Sequence, residues 1–156
     1  MNKNLIYLKY IARHKWYVFK ACLKYGIVWR GLVHDLSKLF PSEFIPYRDY
    51  FYGRYGEVEQ NITNDIQEEF DLAWLRHQKK NLHHWQAWVL KQDDGQLKAL
   101  EMPLEYRQEM LADWSGASIA IKGYDDTYNW YAKNWKNMIL APMTRNWVEH
   151  KIGFYT

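Results

Sequence analysis

Apolar residues recur every three to four positions along almost the whole chain. That is the period of an α-helix with one buried face, and no segment alternates convincingly as a half-buried strand would. The first helix is expected over residues 3–25, with Leu5, Leu8, Ala12, Trp16, Phe19 and Leu23 as its apolar stripe and Gly26 as its stop. A second is expected over 27–38, packing Trp29, Leu32, Val33 and Leu36 and ending at Pro41. A short helical piece follows over 42–51, and residues 53–61, with two glycines and mixed charge, read as a loop. The fourth helix starts at Thr63 or Asn64 and repeats Ile66, Phe70, Trp74 and His77 at helical spacing. Asn81 reads as the N-cap of a fifth, holding His83, His84, Trp85, Trp88 and Val89 and broken by Asp93-Asp94-Gly95. Pro103 suits the first turn of a sixth, with Tyr106, Met110, Asp113 and Ala117 on one face and Gly123 as its stop. Asp125 or Asp126 caps a seventh, and Thr144 after Pro142 begins a last short one. The expectation is an all-α single domain over residues 1–156, with seven or eight helices.

Composition narrows the picture. A chain of 156 residues is long enough for one substantial core, and 48% hydrophobic with 25% charged residues is the balance of a globular protein. Nine Trp and thirteen Tyr imply a core, or a cleft, built of large rings. The single Cys22 excludes an internal disulfide and a zinc–thiolate site. No apolar run approaches a membrane span and the N-terminus lacks a signal-peptide core, so a cytoplasmic protein is expected. Net charge is only +3, yet residues 1–34 carry seven Lys or Arg and no acid. Lys9, Arg13, Lys20 and Lys24 share one flank of the first helix, either a solvated face or an attractor of anions.

The candidate chemistry starts from His34-Asp35 within Leu32-Val33-His34-Asp35-Leu36-Ser37-Lys38. An imidazole followed by a carboxylate can serve one metal ion, and further donors lie along the chain: His14, His77, His83, His84 and Asp113. Each has a plainer reading. His14, at the margin of the first helix's stripe, is ordinarily a satisfied core residue, and His83-His84 suits a polar helix start. His77 continues an inward stripe and needs a partner there. Asp113 lies on an inward face with no basic residue at i±4 to pair it. Taken together on inward faces of an all-α chain, these residues point to a metal site. Spacing does not decide between His83 and His84.

With these residues in view, the chain resembles the HD-domain superfamily of metal-dependent phosphohydrolases, an all-α fold named for its His-Asp pair. The likeness runs from His14 to Asp113, and His34-Asp35-Leu36-Ser37-Lys38 is similar to the HDxxK form of many members. More narrowly, HDLSK, PSEF, NLHHW and EMLADW resemble a small uncharacterised family of bacteria and their phages. The resemblance implies that His14, His34, Asp35 and Asp113 hold one ion. In two-ion members Asp35 bridges, and His77 with His83 or His84 completes the second site. The GYP signature of the cyclic-dinucleotide phosphodiesterase branch is absent after His83-His84.

The function expected on this resemblance is hydrolysis of a small phosphate ester, most plausibly a nucleotide, by water activated on one or two ions of Fe, Mn, Zn, Ni or Co. Asp35, Lys38 and Glu43 are the candidate catalytic residues. Lys38 either neutralises a phosphate or is an exposed helix-end lysine, and Glu43 is either an acid/base group or a helix-start carboxylate. Lys38, Arg76 and Lys80 are candidate phosphate contacts, and Trp85 a candidate base-stacking ring; surface charge and core packing are the plain alternatives. Trp114 and Tyr106 share Trp85's two readings. No Gly-rich phosphate loop, serine-nucleophile motif or DNA-reading motif is present. Two other functions fit the same donors: a di-iron oxygenase of the wider HD fold, and a non-catalytic protein that binds a nucleotide or a partner.

Overall fold

Glycines and prolines punctuate the helices, though not always at the end expected. The computed structural model describes residues 2–53 and 62–155. Its helices are α1 (Lys3–Lys24), α2 (Val28–Val33), α3 (Pro41–Tyr52), α4 (Asn64–Lys80), α5 (Leu104–Lys122), α6 (Thr127–Asn134) and α7 (Pro142–Ile152). A hairpin of β1 (Val89–Lys91) and β2 (Leu97–Ala99) pairs Val89 with Ala99 and Lys91 with Leu97. Apart from that hairpin the fold is all-α. Among the described residues no helix is long and apolar enough to cross a membrane. The chain forms two compact units: Met1–Arg13 with Asp35–Asn81, and His14–His34 with Leu82–Thr156.

In the first unit α3 packs on α4, around a core of Tyr7, Ile11, Tyr47 and Ala73 flanked by Tyr10, Phe44, Tyr52, Phe70 and Trp74. Rings dominate it: Tyr50 stacks on Phe70 at 3.9 Å between centroids, and Tyr47 meets Phe70 edge-on at 5.1 Å. Pro41 begins α3 rather than ending the helix before it, because a first-turn residue needs no N–H. The loop expected over 53–61 lies, apart from Gly53, outside the described residues. Thr63 precedes α4 as expected. Asn81, expected as an N-cap, instead closes α4: its Nδ2 donates to the His77 carbonyl at 2.9 Å, capturing an orphan acceptor of the last turn.

In the second unit Met102, Met110, Tyr131, Met138, Val148 and Phe154 form the larger core. Trp85, Trp88, Tyr106, Trp114, Trp135 and Trp147 pack against it, so the aromatic-rich C-terminal segment closes a core. The helix expected after Asn81 is a single 3₁₀ turn (Trp85–Trp88) running into β1. Asp93-Asp94-Gly95 is the hairpin turn rather than a helix end, with Gly95 at φ +84°. Gly123, at φ +86°, stops α5 as expected.

Two predicted stripes face the wrong way. On α1 the buried residues are Tyr7, Ile11, His14, Val18 and Cys22, whereas Leu5, Leu8, Trp16 and Leu23 are exposed. His14 stands mid-face, so a stripe drawn by hydropathy slides off it. The helix expected over 27–38 breaks at the His34-Asp35 pair. His34 is extended (φ −49°, ψ 127°), Asp35 is left-handed (φ +51°), and a 3₁₀ turn (Leu36–Leu39) follows. The break buries both His34 and Asp35 to 1% exposure, while Trp29 stays 73% exposed and Leu32, Val33 and Leu36 are exposed too.

Small residues set the approach of helices in the second unit. A Cβ on Gly116 of α5 would lie 2.5 Å from the Val18 Cγ2 and 2.8 Å from its backbone nitrogen on α1. His14 and Asp113 lie one turn before Val18 and Gly116 on the same two helices, so this contact also sets their separation. Gly116→Ala should destabilise the protein by about 1–3 kcal/mol in denaturant melts. A value near zero would show that the two helices do not need this approach.

Candidate metal centre

Within the second unit, α1 supplies His14, the residue after α2 supplies His34, the segment before the 3₁₀ turn supplies His83, and α5 supplies Glu109 and Asp113. The spacing of four puts both carboxylates on one face of α5. All five side chains are buried, with Asp113 the most exposed at 9%. Glu109 Oε1 lies 3.1 Å from His34 Nδ1 and 3.2 Å from His83 Nδ1, so it accepts an N–H from each ring. With Nδ1–H directed at Glu109, the neutral form of each ring would present Nε2 as a lone-pair donor. Those atoms turn toward Asp113: His34 Nε2 is 3.3 Å from Oδ1 and His83 Nε2 3.9 Å from Oδ2. His14 Nε2 is 3.2 Å from Asp113 Oδ1 and 3.4 Å from His34 Nε2.

These separations fit a metal. Ligand atoms about 2.1 Å from one ion lie roughly 3.0–3.4 Å from each other in octahedral or tetrahedral sites. The donors of His14, His34 and Asp113 all lie within 4.8 Å of one another, as do those of His34, His83 and Glu109. His84 is buried too, its ring 4.2 Å from that of His83; within this unit the carboxylates engage His83. Arg30 reaches Glu109 Oε2 at 3.1 Å and lies 3.9 Å over the Tyr106 ring, which anchors the carboxylate from its other side.

Burial would raise the Glu109 carboxyl's pKa, but the bonds and charges of His34 and His83 outweigh it and hold the group at about 2. Asp113 is likewise held well below the carboxylate range, the His14 and His34 contacts overcoming its desolvation. Both are therefore anionic at neutral pH, the state a cation needs. Cys22 is fully buried and its thiol is pushed up to about 12, first by burial and then by Glu109 and Asp113, so it is inert at neutral pH.

The first unit repeats the logic with its own residues. His77 Nδ1 lies 2.8 Å from Glu43 Oε2, which also accepts from Ser37 Oγ at 2.8 Å. The opposite nitrogen, Nε2, is 3.2 Å from Asp35 Oδ1, and Lys38 Nζ is 2.6 Å from Asp35 Oδ2. Glu43 is 0% exposed, so its place is behind His77 as the group that orients the ring. Desolvation lowers the His77 pKa, yet Asp35 and Glu43 raise it overall; burial raises that of Glu43, and His77, Ser37 and Lys80 lower it overall. The Lys38 side chain is 13% exposed and held by Asp35, unlike a free helix-end lysine.

The structure thus brings together His14, His34, His83 and Asp113 in one unit, and Asp35, Lys38, Glu43 and His77 in the other. Arg76 is on the surface, and Lys80, with its side chain 54% exposed, lies 3.6 Å from Glu43 Oε1. Trp85 packs against the second unit's core. The basic flank of α1, Lys9, Arg13, Lys20 and Lys24, is exposed. Sequence reasoning misses Glu109. The signal is its i,i+4 relation to Asp113 on the face that also carries Met110.

The chain belongs to a family of unknown function (DUF5662), whose profile matches residues 3–153. No curated protein and no solved structure matches it.

Two outcomes follow from this geometry. Glu109→Gln leaves His14, His34 and Asp113 in place but weakens the acceptor behind two rings, and should lower metal affinity about 10–100-fold in chelator competition. In the metal-free protein, the folded pKa of Glu109 lies below its unfolded value. Its contribution to stability is present above the ordinary pKa of 4.5 and is lost as pH falls toward about 2. Urea midpoints across that window should fall more steeply for the wild type than for Glu109→Gln; parallel profiles would contradict the assignment.

Proposed function

We propose that this protein is an HD-type metal-dependent phosphohydrolase acting on a small phosphate ester, most simply a nucleotide. The observation that carries the reading is the convergence of His14, His34 and His83 Nε2 atoms on the Asp113 carboxylate, with two of the rings held from behind by Glu109.

His14, His34 and Asp113 are the ligands of the principal ion, and His83, turned to the same carboxylate, completes the set. Asp35 and His77 offer a carboxylate oxygen and an imidazole nitrogen for a second ion in their own unit. A divalent ion held this way supplies Lewis acidity, polarising a phosphoryl oxygen and lowering the pKa of bound water toward neutrality. With Glu109 and Glu43 each facing an Nδ1–H of their histidines, the opposite nitrogen of the neutral ring would carry the lone pair that a cation needs. Lys38 places an ammonium beside Asp35, where it neutralises charge on a phosphoryl oxygen. Imidazole and carboxylate donors suit Fe, Mn, Zn, Ni or Co.

The test is elemental analysis of the purified protein followed by a phosphate-release screen over nucleotides, with Mn, Co, Ni and Fe supplied in turn. The wild type should hold one or two ions and release phosphate, and Asp113→Ala should lose the principal ion and the activity while keeping its helicity. Retained iron with oxygen uptake and no phosphate release would replace the hydrolase reading with the oxygenase one. Metal and nucleotide retention without turnover would make the protein a binding module.

A further inference from the structure

Two tyrosine hydroxyls in the first unit are buried without use. Tyr7 is 1% exposed and Tyr47 5%, and neither hydroxyl has a hydrogen-bond partner among the described residues. Both rings belong to the unit's aromatic core, and the Tyr7 ring lies 4.9 Å from Phe44. Packing therefore explains the rings and leaves the oxygens unexplained. A buried hydroxyl that makes no bond costs about 1–3 kcal/mol, and phenylalanine would fill the same space without that cost.

Their neighbours suggest what the oxygens are for. The Lys38 ammonium lies 5.8 Å from the centre of the Tyr47 ring while reaching Asp35 Oδ2 at 2.6 Å. The Tyr47 ring also meets His77 edge-on at 5.9 Å. Both phenols sense Lys38 and Asp35 electrostatically, and burial, the largest influence, raises both pKa values, so they remain protonated donors. Two O–H donors and an ammonium near a carboxylate–imidazole pair are the groups that suit the oxygens of an anion.

We propose that the Tyr7 and Tyr47 hydroxyls, with the Lys38 ammonium, form a binding site for the oxygens of a phosphate group beside Asp35 and His77. The site rests on the hydrolase reading for its ligand class and deepens it by naming two substrate-binding residues. Asp35 is itself an anion, so phosphate enters once a cation held by Asp35 and His77 has offset that charge. Phosphate binding is thereby coupled to metal loading.

The experiment measures binding of inorganic phosphate to the metal-loaded full chain by calorimetry, for the wild type, Tyr7→Phe and Tyr47→Phe, with thermal melts of the metal-free proteins and metal content alongside. Each substitution should weaken phosphate about tenfold or more, leave metal content unchanged, and leave the melting temperature equal or higher, because no bond is lost. Wild-type affinity in both variants would overturn the proposal while leaving the hydrolase reading intact. A lower melting temperature with unchanged phosphate affinity would also overturn it, marking the hydroxyls as structural. Weakened phosphate binding in a protein that hydrolyses no nucleotide would support the site and count against the hydrolase reading. A metal-loaded wild type that binds no phosphate would overturn both.

Discussion

Burying an imidazole beside a carboxylate is costly unless each polar atom finds a partner. This chain does it twice, with one arrangement. A buried glutamate accepts the Nδ1–H of histidine, and the opposite nitrogen is presented to an aspartate: Glu109, His34 and His83 with Asp113 in one unit, Glu43 and His77 with Asp35 in the other. The glutamates hold the ring orientations before any ligand arrives. What remains on the far side is a set of preorganised nitrogen and oxygen donors, some on α1, α4 and α5 and some, His34, Asp35 and His83, on the segments between helices.

Other features serve that constraint. Gly116 lets α5 approach Val18 of α1, one turn from the His14–Asp113 contact. Arg30 ties α2 to Glu109 on α5. The backbone bends to meet it as well. Asp35 is the sole non-glycine residue with positive φ among the described residues, and it follows His34 at the break after α2. Aspartate tolerates the left-handed region better than most residues, at a cost of roughly 1–2 kcal/mol. A continuous helix would have been the better local solution for the apolar sequence around it; two buried polar side chains prevailed over it.

Much of this was legible in the chain. The helical period of α4, with Ile66, Phe70, Trp74 and His77 on its packing side, survives intact, as does the inward placement of Met110 and Asp113 on α5. The departures share a cause. Hydropathy ranks Leu5, Leu8 and Trp16 above His14, so an α1 stripe read by hydropathy runs through residues that face water. The same bias extends α2 through His34-Asp35 to bury Leu32 and Leu36. A histidine that is buried because carboxylates await it elsewhere in the chain has no signature in its own neighbourhood. Asn81 is ambiguous for a related reason: its amide can cap either helix end, and the choice falls to the His77 carbonyl. Glu109 stays hidden because only its distant partners, His34 and His83, distinguish it from a surface glutamate.

The central claim is that His14, His34 and Asp113 are ligands of one ion. Anomalous diffraction from crystals of the metal-loaded protein, recorded on both sides of the metal's absorption edge, tests it most directly. The account predicts a peak within about 2.0–2.2 Å of the Nε2 atoms of His14 and His34 and an Asp113 carboxylate oxygen. A fully loaded crystal with its anomalous peaks only elsewhere, and these three side chains bonded solely to one another, would contradict it.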